Sequence, residues 1–239
     1  MIKSLLLQIN VAADSTSTAV QEIVPQEKTL SIWELVSSGG VGGGIIMITL
    51  LILSILAVYI IVERFFAIRT ASKEDVNFMN QIKDFILDGK IDAAKSLCKT
   101  KTSPVAKMIE KGISRIGKPL SDIGTAVENT GKLELNKLEK NLSTLATISG
   151  AAPMIGFLGT VIGMIMVFHK MSTGGGGVDL NTLSEGIFTA MTTTVAGLIV
   201  GIVAYIGYNT LVAKVEKIVF IMEARTTEFL DILHEPANY

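Results

Sequence analysis

Three stretches of this chain, residues 35–62, 141–168 and 186–213, contain no Asp, Glu, Lys or Arg, and each is 28 residues long. Few folds can absorb such runs. A helix rises ~1.5 Å per residue and a bilayer core is ~30 Å thick, so ~20 apolar residues cross it. Each run is long enough with residues to spare. A water-soluble core has little use for three of them in 239 residues. The reading is an all-α integral membrane protein with three transmembrane helices. The hydrophobic fraction of 49% agrees, and a net charge of −1 offers no electrostatic footprint for a nucleic acid.

The remaining charge gives an orientation. Lys and Arg number 2 in residues 1–34, 15 in 63–140, 1 in 169–185 and 3 in 214–239. With three spans the second and fourth segments share a side. The excess of positive charge places that side in the cytoplasm, and Arg64, Arg69, Lys73, Lys132, Lys137 and Lys140 lie near span ends, where the rule applies best. The N-terminus and the loop holding Gly174 to Gly177 then face outward.

The chain divides as follows: a flexible outer tail over 1–30, an interfacial helix and joint over 31–44, span 1 over 45–62, and a cytoplasmic helical domain over 63–140. Span 2 covers 141–168, an outer loop 169–185, span 3 186–213, and a cytoplasmic C-terminal helix 214–239. The start, MIKSLLLQI, mimics a signal peptide, but its apolar core is shorter than the usual ~7–15 residues, so it reads as a retained tail. Ser31 and Glu34 form a capping box around Trp33, an interfacial aromatic, and Ser37 to Gly40 make a loose joint. In the 63–140 segment, Ser72 with Asp75 caps one helix and Gly89 ends it; Ser103 and Pro104 suit N-cap and N1 of a second. A third starts near Ser121 and meets no strong stop before span 2. It is expected to run on into the membrane, with Gly131 the one place it could bend. After span 3, Val215, Ile218, Met222, Thr226, Phe229 and Leu233 recur every three or four residues, an amphipathic seam.

Spans 2 and 3 are not uniformly bulky. On a helical projection Ser149, Ala152, Pro153, Gly156, Gly159, Thr160 and Gly163 share one stripe. Gly186, Thr189, Ala190, Thr193, Thr194, Ala196, Gly197, Gly201, Ala204 and Gly207 share another. Span 1, with IIMITLLILSILAV over 45–58, is bulky nearly all round and suits lipid. Two meanings stay open for the small stripes: close helix packing, or a surface turned toward a pore or a partner. Pro153 leaves the Ser149 carbonyl without its helix partner and bends the helix.

The residues A-P-M-I-G-F-L-G-T-V-I-G-M at 152–164 resemble the second-span signature of the MotA/TolQ/ExbB proton-channel proteins. G-I-F-T-A-M-T-T-T-V-A-G-L-I-V-G-I at 186–202 is similar to their third-span signature, and Glu63-Arg64-Phe65 with Arg69 to their span 1 exit. The resemblance is closest to ExbB. It implies an inner-membrane motor subunit of bacteria: a homo-oligomeric ring, expected to be a pentamer, around a dimer of an ExbD-like single-span partner. Protons passing between ring and axle would energise outer-membrane transport through a TonB-like protein. By resemblance Thr160 and Thr194 match inward-facing threonines of the ring, and Thr189 and Thr193 join them as candidate proton-path residues. Pro153, Gly156, Gly159, Gly163, Gly197 and Gly201 are the candidate bend and packing positions. Many relatives carry a span 3 glutamate where this chain has Thr189, and Glu185 lies four residues earlier as a possible outer-mouth acid. A proton relay needs a titratable group, so the partner is expected to supply it.

The other classes find little support. Gly112, Gly117 and Lys118 start a phosphate-loop pattern, but Pro119 stands where Ser or Thr is required. His169 and His234 fall on opposite sides of the membrane in this topology, and Cys98 is the sole cysteine. No enzyme, cofactor or metal site is expected. A TolQ-like envelope role, a gliding or secretion motor, and a non-conducting scaffold remain as alternatives.

Overall fold

The computed structural model describes residues 40–72, 77–173 and 180–234. All elements among them are helices: α1 Gly40–Ala71, α2 Phe78–Leu87, α3 Ile91–Thr100, α4 Pro104–Ile113, α5 Leu120–Leu138, α6 Leu142–Thr173 and α7 Leu180–His234. Three helical stretches, one through α1, one ending in α6 and one in α7, are long and apolar enough to cross a membrane. The tail, the Ser31–Glu34 capping box, Trp33, Asp75 and Gly174 to Gly177 lie outside the described residues.

The three apolar helices pack on one another, and α7 is one rod of 55 residues. At ~1.5 Å per residue it is ~80 Å long, far beyond what a bilayer core needs. Its second half carries the seam read from the sequence. Val215, Ile218, Met222 and Phe229 are buried, Thr226 and Leu233 half-buried. They close a small helical domain formed by α2 to α5, whose core includes Met79, Ile82, Ala94, Ile109, Ile113 and Val127. Gly112 lets α4 sit against it, because a Cβ there would run into the Phe229 ring and, at 2.8 Å, the Val127 methyl. Gly131 does the same for Met108, whose methyl would be 2.9 Å from an added Cβ. Gly131 therefore serves packing inside α5 and is not a bend.

Local signals explain several boundaries. The Ser103 hydroxyl accepts from the Ala106 N–H at 3.3 Å, with Pro104 at the first helical position. Gly89 has φ +69 and ends α2, with Lys90 N–H returning to the Phe85 carbonyl at 2.8 Å. Two expectations fail. The cap of α2 is Asn77, not Ser72: α1 continues to Ala71, so Ser72 is spent in the turn that closes it. Of the joint read at Ser37 to Gly40, residues 37–39 lie outside the described residues, and Gly40 begins α1, which runs on through Gly42, Gly43 and Gly44. A Cβ on Gly42 would be 3.2 Å from an Ile162 methyl, and one on Gly43 3.3 Å from the Thr189 methyl, so their smallness lets α1 approach α6 and α7. Finally, α5 does not run on into α6. The chain turns over residues 139–141, and Asn141 takes φ 64, the one positive-φ non-glycine among the described residues.

The outward faces of the spans are bulky. Ile45, Ile48, Ile52, Ile55 and Tyr59 of α1 are exposed, while Ile46, Leu50, Ala57 and Ile60 turn inward. Such a surface suits hydrocarbon rather than water.

Candidate functional site

The small stripes of α6 and α7 face each other. A Cβ on Gly197 would stand 2.6 Å from the Ala152 carbonyl oxygen and 2.9 Å from Gly156 Cα; one on Gly156 would stand 2.8 Å from the Thr193 carbonyl oxygen. Further along, a Cβ on Gly163 would meet Ala190 Cβ at 3.0 Å, and one on Gly159 the Thr193 side chain. In the other direction a Cβ on Gly201 would reach the Pro153 ring at 2.5 Å and the Ser149 carbonyl at 3.2 Å. Backbone therefore touches backbone along the seam. α6 remains one helix through Pro153, and the carbonyl that proline leaves without an N–H lies under Gly201.

Close approach brings side-chain hydroxyls to a neighbouring backbone. Thr193 is 1% exposed, and its hydroxyl donates to the Ala190 carbonyl at 2.8 Å, with the Gly156 carbonyl at 3.3 Å. Thr194 donates across the interface to that same Gly156 oxygen at 3.1 Å. Position 156 must be glycine for this, since any side chain would hold the helices apart. Thr160 is half-buried one turn further along α6, and its hydroxyl donates to the Phe157 carbonyl at 2.6 Å. Thr189 is half-buried with its methyl toward Gly43 of α1. Glu185 is exposed near the start of α7. The structure thus brings Thr193 and Thr194 together on one oxygen, leaves Thr160 at the edge of the groove, and turns the Thr189 methyl toward a different helix.

The chemistry of the groove follows from which protons are committed. A threonine hydroxyl has one donor and two acceptor lone pairs. Thr160, Thr193 and Thr194 all spend their protons on backbone carbonyls. What remains available is oxygen that accepts. Asp, Glu, Lys, Arg and His are missing from the three charge-free runs, so the groove has no carboxylate, amine or imidazole to relay a proton. It can receive a hydrogen bond from water or from a protonated acid brought by another chain.

Sequence reasoning misses two contacts. Gly42 and Gly43 are given no contact by the sequence reading; their place inside an apolar run is the signal for packing. The Arg64 guanidinium donates to the Lys137 carbonyl at 2.9 Å, a contact across 73 positions that no local pattern announces.

A sequence model described as the MotA/TolQ/ExbB proton channel family matches residues 100–224. The chain is 29% identical over 174 residues to the "Putative biopolymer transport protein ExbB-like 1" of Synechocystis, covering 72% of this chain and 68% of that protein. It is 42% identical over 77 residues to the "Biopolymer transport protein ExbB" of Helicobacter pylori, covering 32% of this chain and about half, 52%, of that protein. It is 27% identical over 224 residues to the "Tol-Pal system protein TolQ" of Pseudomonas aeruginosa, covering 87% of this chain and 94% of that protein.

Proposed function

This chain belongs to the MotA/TolQ/ExbB proton channel family, and from that premise we propose that it is the ring subunit of an ExbB–ExbD-like inner-membrane motor. The ring, a homo-pentamer with its N-terminus periplasmic and its C-terminus cytoplasmic, encloses a dimer of a single-span partner. Proton flow between ring and axle energises TonB-dependent outer-membrane transport. Residues 45–62, 141–168 and 186–213 are its spans and 63–140 its cytoplasmic domain.

Beyond family membership, one observation supports the reading. Thr193 and Thr194 converge on the Gly156 carbonyl with their own protons spent, in spans that hold no Asp, Glu, Lys, Arg or His. A carboxyl on the axle would enter this apolar setting protonated, because burial raises its pKa. Its O–H then donates to a hydroxyl oxygen that can only accept. Thr160 and Thr194 are the residues assigned to that contact, with Thr189 and Thr193 behind them and Glu185 at the outer mouth. Each charge crossing ~100 mV releases ~2.3 kcal/mol, enough for several protons to bias a rotation. The extent of the match to TolQ, 94% of that protein, favours a Tol-like envelope role as the second reading.

The test is proton flux in liposomes holding this chain and its single-span partner. Flux is expected to need the partner and to fall at least tenfold in Thr160→Val with Thr194→Val, both still assembled by gel filtration. Undiminished flux in the double variant would remove the threonines from the path. A stable complex with no flux under an imposed gradient would favour the scaffold.

A further inference from the structure

One charged side chain at the end of span 1 is buried. Arg64 has a side-chain exposure of 8%. Its Nη1 donates to the Lys137 carbonyl at 2.9 Å, its Nε to a Glu63 carboxylate oxygen at 3.2 Å, and its Nη2 pairs with the other Glu63 oxygen. Lys137 lies in the last turn of α5. The last four carbonyls of a helix have no partner within it. Arg64 therefore provides, from a different helix, the donor that the end of α5 removed.

The local signal for that end is a single residue, Asn141. Residues 138–142 are Leu-Glu-Lys-Asn-Leu, without Gly or Pro, and only Asn141 among them is suited to a left-handed helix end. The chain breaks there, and Asn141 adopts φ 64. A left-handed conformation costs an L-residue ~1–2 kcal/mol, with Asn among the more tolerant. The turn's own bonds, Leu142 N–H to the Glu139 carbonyl at 3.0 Å and Leu145 N–H to the Asn141 carbonyl at 3.1 Å, offset part of this, and contacts distant in sequence add to them. Arg64 supplies one directly. Glu63 lies within the influence of Asn141 and Lys140. The next residue, Phe65, holds Lys214 of α7 over its ring at 3.9 Å, so this turn of α1 is tied to α7 as well.

We propose that Arg64 is a positioning residue: by satisfying the Lys137 carbonyl it holds the joint between α5 and α6, and so sets how the extramembrane helical domain is carried by span 2. Without it, α5 and α6 relax toward one continuous helix, which residues 138–142, free of Gly and Pro, can adopt. This inference does not depend on the proton-channel reading, since it is tested without partner or gradient.

The experiment is a distance measurement by pulsed electron spin resonance on the full chain in lipid nanodiscs. Spin labels go at Asn129→Cys and Gly150→Cys, both exposed positions on either side of the joint. A continuous helix places them ~32 Å apart along the axis. The otherwise unsubstituted chain is expected to give one narrow population at a shorter distance. Arg64→Gln, and Arg64→Lys, which keeps the charge but loses the fork, are expected to raise the ~32 Å population about tenfold, as loss of a charge-assisted hydrogen bond implies. Adding Asn141→Gly, which removes the left-handed cost, is expected to return the Arg64→Lys distribution toward the shorter distance. Unchanged distances in both folded Arg64 variants would overturn the proposal. So would no response to Asn141→Gly, or failure of both Arg64 variants to fold, either of which would make Arg64 a residue of general stability.

Discussion

The α6–α7 contact can be tested with one methyl group placed at two positions. A Cβ on Gly197 would meet only backbone: the Ala152 carbonyl at 2.6 Å, Gly156 Cα at 2.9 Å and Gly156 N at 3.1 Å. None of these can rotate away. Ordinary contact begins at 3.4 Å, so relief requires the helices to separate by about 0.8 Å at this point. A gap of ~0.5–1 Å forfeits a quarter to a half of each dispersion contact it opens. It also stretches the Thr194 to Gly156 hydrogen bond from 3.1 Å beyond useful length. Such overpacking costs ~1–3 kcal/mol, and the lost interhelical bond adds ~0.6 kcal/mol. At Gly150, on the same α6, an added Cβ meets nothing within 4 Å. There alanine is expected to stabilise by ~0.5–1 kcal/mol through backbone entropy. Gly197→Ala and Gly150→Ala are thus expected to differ by ~2–4 kcal/mol, with opposite signs. Unfolding in dodecyl maltoside titrated with sodium dodecyl sulfate, followed by circular dichroism, measures both. Adding Gly156→Ala to Gly197→Ala should cost less than its own single effect, because the helices have already parted. If Gly197→Ala is as stable as Gly150→Ala, the close contact described here is wrong.

Two further expectations concern the helical domain outside the spans. Glu134, with its side chain 9% exposed, accepts from Lys107 at 2.8 Å and from Lys137 at 2.5 Å. Burial would raise its pKa, but the two ammonium groups together outweigh burial and hold the carboxyl below its usual 4.5. A depressed folded pKa contributes stability that is fully present above the unfolded value and is lost as pH falls through the folded one. The chain should therefore show an extra loss of stability below about pH 4.5 that Glu134→Gln lacks, and should exceed that variant at pH 7 by ~1 kcal/mol, since both lysines are substantially exposed; parallel pH profiles would refute this. Burial, with Glu110 nearby, pushes the Cys98 thiol up to about 12. The native protein should resist maleimide at about pH 8 and label fully once denatured, and stoichiometric native labelling would count against the packing of α3.

How much of this was legible depends on the distance over which each signal acts. The three charge-free runs, the Ser103–Pro104 cap, the positive-φ Gly89 and the α7 seam are local patterns, and the structure places each where its spacing indicated. The break at Asn141 is only partly local: Asn suits a left-handed position, while the Lys137 carbonyl takes a donor from Arg64, 73 positions earlier. The glycines of α1 are ambiguous for a related reason. Glycine marks a joint when nothing approaches it and a contact when something does, and only the fold distinguishes the two. The same ambiguity governs the small stripes. A sequence shows that a face is small but not what lies opposite it. Here Gly156 and Gly197 lie opposite each other within one chain, so the backbone that the stripe exposes is consumed by the α6–α7 hairpin. A partner arriving from outside cannot press against those glycines. It must address the edge of the groove, where Thr160 is half-buried beside exposed Phe157 and Val161. The proposed proton path therefore stands or falls on residues at that edge, and Thr160 is the one whose replacement leaves the hairpin seam intact.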